Sequence, residues 1–273
     1  MIEISIISDE LNRNFSEAVR MASDCGIHRL EIRTLTGGRV PACTAPEIAE
    51  VDRILRNESI SLTALSPGLF KHTATEPAFR YELNEQLPLT IELARRWNIT
   101  RILVFGFSRS THEDPVQARQ IASLWLAEAA EIAAAAGVTL LLEPEPICLA
   151  DTGLHADEMI RSVNSPALAM NYDPGNVAWQ TGMDPGPEIE SIASIIRHIH
   201  LKDIAVGSSF ADPRWVQPGD GIVNFETIFR ALQRHNYTGE LTLEPHLPYI
   251  DTATLRNLKE RIIALWSRAA QHS

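Results

Sequence analysis

Four segments in the second half of the chain each run from an apolar stretch into a residue able to bind a cation or move a proton. VTLLLEPEP leads to Glu143, LAMNYDPGN to Asp173, IRHIHLKD to His200 and GELTLEPH to Glu244. If these apolar runs are strands of one parallel barrel, their carboxyl ends open on the same mouth, and three carboxylates and an imidazole converge there. Left unpaired, the carboxylates would repel one another and push their own pKa values upward. A divalent cation removes that conflict. An oxygen-rich set with one His suits Mn2+, Mg2+ or Co2+, and Zn2+ also accepts these residue types.

Each residue also has a bland reading. A Glu just after an apolar strand is often solvated or paired with a helix dipole. The HLKD segment could be a structural ion pair, and His198 competes with His200. Strand alternation puts His198, His200 and Lys202 on one side and Ile199, Leu201 and Asp203 on the other. His200 is preferred because it lies nearer the strand end. Lys202 could bind a substrate oxygen or pair with an acidic neighbour. Glu31 and Arg33 end an earlier strand, where a substrate contact and a rim salt bridge are about equally expected.

The elements that must position these residues follow from the apolar pattern. Short runs rich in Ile, Leu and Val alternate with longer stretches of helical spacing along the whole chain. Candidate strands begin near Ile2, Arg29, Ser61, Arg101, Val138, Leu168, Ile196 and Glu240; one βα unit needs about 30 residues. ILVF (102–105) and TLLL (139–142) are apolar at every position, as a parallel sheet covered on both faces requires. Helix starts are legible at Asn14, at the Thr44-Ala-Pro-Glu47 capping box and at Asn224, and stops at Gly26 and Gly137. Further helices are expected over about 79–97, over about 115–136, after Asp157, after Pro187 and over about 252–270. Eight such units predict one (β/α)8 TIM barrel over residues 1–273. The rival, an open doubly wound sheet, needs a Gly-rich turn after its first strand, where this chain reads SDELNRNF.

Composition narrows the partners. With 24 Lys+Arg against 35 Asp+Glu, the formal net charge is -11, which repels phosphate backbones and argues against nucleic acid. Cys25, Cys43 and Cys148 are far apart and form no CxxC pair, so a reducing cytoplasmic setting is expected. The opening MIEISIIS lacks a basic stretch followed by a long apolar one, and no run of eighteen apolar residues occurs, so neither secretion nor a membrane is expected. A homo-oligomer is left open.

Taken together, SDELNRNFSEAV, LEIR, LLLEPEP, NYDPGN, HIHLKD, PGDG and LTLEPH, in this order and spacing, resemble the xylose isomerase-like TIM-barrel superfamily. The resemblance covers nearly the whole chain. It falls in the branch of sugar phosphate isomerases and epimerases, which is related to hydroxypyruvate isomerase, inosose dehydratases and AP endonuclease family 2. It implies a small-molecule carbohydrate substrate, metal ligands at Glu143, Asp173, His200 and Glu244, and an acid/base pair in Glu143 and Glu244. It further implies a basic substrate contact at Arg214. Many members carry His where this chain has Asn176, which can hydrogen-bond a substrate hydroxyl but cannot act as an acid or base near neutral pH. The nuclease branch needs additional His ligands, and Asn176 and Asp212-Pro-Arg214 do not supply them. One divalent ion is therefore expected. The implied reaction is isomerisation or epimerisation through an enediolate, with dehydration of a cyclic polyol ketone as the alternative. A nuclease and a metal-free scaffold are the more distant readings.

Overall fold

The structure, a computed structural model, describes residues 2–72, 75–110 and 114–271. Eight strands form where the apolar runs predict them: β1 Ile4–Ile7, β2 Arg29–Ile32, β3 Ser61–Leu69, β4 Arg101–Phe105, β5 Thr139–Glu143, β6 Leu168–Tyr172, β7 Ile196–Leu201 and β8 Leu241–Leu243. They pair in chain order, all parallel, and the barrel closes by β1 against β8, with Ser5 opposite Thr242. Closure leaves the main sheet without an edge.

Period-two alternation divides each strand between two environments. Leu140 and Leu142 of β5 belong to the large core that packs against the helices. Leu141 joins Ala64, Leu103 and Ala169 in a small separate cluster contributed by β3 to β6. Across the barrel, buried polar residues stand on β1, β2, β7 and β8. Thr242 lies within hydrogen-bond distance of both Ser5 and His198, the latter at 3.2 Å. The apolar cluster fills the β3 to β6 side at one level, while Ser66 of β3, Glu143 of β5 and Asn171 of β6 add further buried polar groups.

The main helices are α1 Phe15–Asp24, α2 Ala45–Asn57, α3 Leu87–Arg96, α4 Pro115–Ala136, α5 Gly153–Val163, α6 Pro174–Thr181, α7 Phe225–Arg234 and α8 Thr252–Gln271. Their starts follow capping chemistry: Asn14 accepts from the Glu17 amide, Thr44 and Glu47 form the reciprocal box, and Asn224 accepts from Thr227. Gly137 ends α4 at φ 72, a left-handed conformation that glycine adopts without strain.

Several helices depart from expectation: α5 begins at Gly153 with Thr152 as its cap, ahead of Asp157, and the helix expected after Pro187 is a single turn, Ile189–Ile192, between two 3-10 turns. The continuous helix expected over 79–97 is instead a helix Glu76–Tyr81, a wide π turn Glu82–Gln86 and then α3. Pro88 has no N–H to return to the preceding turn, and the wider turn accommodates that loss. The wide turn brings Glu82 to accept from the Phe70 amide at 2.6 Å. The helix α6 begins directly after Asp173, which caps it, with Pro174 in its first turn; this cap-and-proline signal sits inside a segment that reads as a strand end.

Two short antiparallel pairs decorate the mouth, Thr34–Leu35 with Gly38–Arg39 after β2 and Asp203–Ile204 with Trp215–Val216 after β7. All three cysteines are free thiols. Among the described residues no helix is long and apolar enough to cross a membrane.

Candidate functional site

Strands β5 to β8 each end on the same side of the barrel, and the four side chains they deliver meet. One ligand atom from each of Glu143, Asp173, His200 and Glu244 lies within 4.8 Å of all the others, and all four residues are buried. Glu143, His200 and Glu244 line a cavity of about 370 Å³ at the mouth, together with Arg33, Arg39, Ser66, Lys71, Asn176 and Lys202. A larger hollow of about 630 Å³ at the opposite end is lined by Thr100, Arg101, Thr139 and Arg197 near the strand starts. That face of a barrel carries stability rather than chemistry.

Local geometry explains how each group is aimed. Asp173 Oδ1 accepts from the Asn176 amide at 2.9 Å, capping α6, while Oδ2 turns to Lys202 Nζ at 2.7 Å. Gly175 allows the start of α6 to lie against the end of β7, because an added Cβ would stand 2.6 Å from the Lys202 carbonyl oxygen. Glu143 accepts from Asn176 Nδ2 at 3.1 Å and from Asn171 Nδ2 at 3.0 Å. Glu244 meets His200 Nδ1 at 3.0 Å, Lys202 Nζ at 3.3 Å and the Arg33 guanidinium. Alternation sends Asp203 to the other side of the chain. There its carboxylate accepts from the amides of Gly219, Gly221 and Val223, which accounts for the PGDG segment as a turn folded around Asp203.

The two glutamates sit in opposite electrostatic company. Burial, reinforced by the nearby Glu244 and Asp173 charges, pushes Glu143 up to about 7 despite the opposing His200. Burial alone would raise Glu244 as well, but Lys202, His200 and His246 outweigh it and hold its pKa well below the usual carboxylate range. Burial also raises Asp173, against the pull of Lys202. His200 is contacted from both ends of its ring. Its Nε2 faces Glu31 at 3.1 Å and its Nδ1 faces Glu244 at 3.0 Å and Glu143 at 3.7 Å. With Nε2–H donating to Glu31, the Nδ1 lone pair of a neutral ring points at carboxylate oxygens. Asn171 Nδ2 lies 3.2 Å from the same Nδ1 and can donate to it, and a second proton on the ring or a cation among the oxygens relieves the remaining lone-pair repulsion. Three carboxylates and one imidazole nitrogen at this spacing are a donor set for one divalent cation.

The outer candidates separate. Asn176 and Lys202 line the cavity. Glu31 does not: it is fully buried, with Ser66, His198 and His200 on its carboxylate, beneath the four mouth residues. Arg214 is exposed and donates from Nη2 to the Val206 carbonyl at 3.0 Å, whereas its neighbours Pro213 and Trp215 line the cavity. Trp179 and Trp215 stand edge to face at the mouth. Phe70 and Phe107 are instead fully buried in a cluster with Phe79 and Trp125. Sequence reasoning passed over Asn171, Lys71 and Arg39. Asn171 was recoverable, because it precedes Asp173 by two and so shares its face of the strand. The hairpin that carries Arg39 left only a Gly-Gly turn as its trace.

Fold and mouth together define a (β/α)8 barrel with an acidic centre at its carboxyl face. The family model described as xylose isomerase-like TIM barrel matches residues 19–263, and the chain belongs to that family. A curated relative, "Putative L-ribulose-5-phosphate 3-epimerase SgbU" of Escherichia coli (strain K12), is 30% identical over 178 residues, 64% of this chain; the match spans 62% of that relative's length. The 3-dehydroshikimate dehydratase of Bacillus anthracis is 25% identical over 195 residues, covering 70% of this chain and 67% of its own. Among solved structures, the IolI protein with a bound zinc atom superposes with a TM-score of 0.82 at 15% identity, covering 98% of this chain and 99% of that one. An L-ribulose 3-epimerase does so with a TM-score of 0.78 at 20% identity, covering 100% and 97%. At these identities the structural likeness is one of fold.

Proposed function

We propose that this protein is a divalent-metal-dependent isomerase or epimerase of a small carbohydrate or hydroxy-ketone. The observation that carries the reading is the meeting of Glu143, Asp173, His200 and Glu244 within 4.8 Å at the barrel mouth. Those four residues would hold the metal. When bound, a divalent ion supplies charge stabilisation next to a carbonyl, which acidifies the adjacent C–H.

The remaining work falls to the chain. Glu143 and Glu244 come from strands separated around the barrel and bracket the cavity, so one carboxylate can take a proton from the carbon beside the carbonyl and the other can return one. Return to the opposite face of the same carbon is epimerisation, and return to the neighbouring carbon is isomerisation. Lys202 Nζ, held between Asp173 and Glu244, presents positive charge to the enediolate oxygens. Asn176 fixes Glu143 through Nδ2 and is placed to meet a substrate hydroxyl. Trp179 and Trp215 offer apolar faces to sugar C–H groups.

A dehydratase is the second reading, favoured by the 3-dehydroshikimate dehydratase relative. Elimination of a β-hydroxyl would start from the same proton abstraction. The test is product analysis by NMR after incubating metal-loaded protein with L-ribulose, L-ribulose 5-phosphate, an inosose and 3-dehydroshikimate. A C3 epimer or an aldose supports the first reading and an enone or aromatic product the second. Absence of every product, with stoichiometric metal bound, overturns both.

A further inference from the structure

Four Arg and Lys residues line the mouth cavity: Arg33, Arg39, Lys71 and Lys202. Three are closed by carboxylates. Arg33 pairs with Asp9, Glu10 and Glu244, Lys71 with Glu145 at 2.8 Å, and Lys202 with Asp173 and Glu244. Arg39 pairs with none among the described residues. Its Nε donates to the Ser66 carbonyl at 2.9 Å, and that is its only side-chain hydrogen bond there, leaving both Nη groups open.

Arg39 is exposed, as Arg214 is, but unlike Arg214 it lines the cavity and is held there. It ends the short hairpin in which Thr34 pairs with Arg39 and Leu35 with Gly38. The hairpin turn is pinned by Glu47, the capping-box residue of α2, whose Oε1 accepts from the Gly37 amide at 2.6 Å. The guanidinium lies against Gly68 near the end of β3, where an added Cβ would stand 2.8 Å from both Cζ and Nε. Gly68 has φ +81, so glycine there serves both the backbone and the close approach. A fixed guanidinium, aimed at a cavity and lacking an internal acceptor, presents a planar fork of donors that matches an oxyanion.

We propose that Arg39 is a specificity-determining residue that receives an anionic group, a phosphate or a carboxylate, on the substrate. The proposal rests on the reading of the mouth as a sugar-converting site. It assigns to the hairpin after β2 the basic contact that the family resemblance implies at Arg214. In a mouth whose other Arg and Lys residues are paired with carboxylates, Arg39 would orient the substrate by its charged end and leave the carbonyl end to the four ligands.

Calorimetric titration of the metal-loaded protein with two pairs of probes tests this: L-ribulose 5-phosphate against L-ribulose, and 3-dehydroshikimate against an inosose. Wild type should favour one anionic probe over its neutral counterpart by about tenfold or more, the scale of a charge-assisted hydrogen bond. Whichever pair shows the preference identifies phosphate or carboxylate. Arg39→Gln should abolish it, with the loss of turnover falling on KM for the anionic substrate, and Arg39→Lys should restore part of it. Equal binding of charged and neutral probes by wild type, or an undiminished preference in Arg39→Gln, overturns the proposal. A preference intact in a protein that turns over no probe sinks the isomerase and dehydratase readings while leaving the role of Arg39 standing. Turnover that is indifferent to charge and to Arg39 does the reverse.

Discussion

The carboxylate of Glu31 lies 3.1 Å from His200 Nε2, on the side of the ring away from the mouth. Glu31 is fully buried, and His200 and His198 hold it in its charged form against the cost of burial. A carboxylate behind a ligating imidazole fixes its tautomer and orientation and raises its basicity, and loss of such a partner typically costs about 10–100-fold in metal affinity. Glu31→Gln should therefore weaken metal binding by that order in calorimetric titration, with the thermal transition of the apoprotein remaining cooperative. Unchanged affinity would show that Glu31 serves only the polar barrel interior.

Exchanging either mouth glutamate for its amide retains size and removes the proton-transfer group. Glu143→Gln and Glu244→Gln should each lower turnover by about 10²–10⁴-fold, the usual range for a lost general acid or base, while far-ultraviolet circular dichroism stays that of the wild type. Full activity in either variant excludes its residue from proton transfer.

Asp173 has two duties on separate oxygens, one toward the α6 amide and one toward the mouth. Asp173→Asn keeps a capping oxygen and Asp173→Ala removes it, so the alanine variant should be less stable than the asparagine variant by about 1 kcal/mol. Both should lose metal affinity. Urea unfolding of the pair measures the first expectation and metal titration the second; equal stability would mean that the cap contributes nothing.

At the opposite end of the barrel, Glu240 bridges Arg29 and Arg101, at 2.6 Å to each. Burial would raise its pKa, but the Arg101 charge and hydrogen bond prevail and hold it below the ordinary value. A carboxylate with a depressed folded-state pKa contributes stability fully above its unfolded pKa, near 4.3, and loses that contribution as pH falls through the folded value. Glu240→Gln should cost about 1–3 kcal/mol at pH 7, and the gap should narrow toward pH 3 without altering metal affinity. A gap of the same size at both pH values would assign the loss to packing rather than charge.

The barrel and its acidic mouth were legible because both depend on short-range signals. Leu140, Leu141 and Leu142 read as a strand covered on both faces, Asn14, Thr44 and Gly137 mark helix ends through bonds within a turn or so, and a residue at a strand's carboxyl end is carried to the mouth by topology. What escaped depends on contacts distant in sequence. Glu31 and His200 are 169 residues apart, and the rim position read for Glu31 gave no hint that His198, His200 and Ser66 would bury its carboxylate. Arg214 and Arg39 are both basic residues in loops, and only the folded loops show that the first bonds to its own segment while the second lines the cavity. The interruption before α3 was implicit in Pro88, but the helical periodicity on either side masked it.

Solvent isotope exchange tests the central claim most directly. Metal-loaded protein incubated in D2O with the four probes in turn should place deuterium on a carbon beside the carbonyl of at least one of them, followed by loss of that proton's NMR signal. The label should be absent after the metal is stripped and absent in Glu143→Gln. Exchange that persists at the same rate without metal, or no exchange in any probe with one ion bound per chain, would contradict the account.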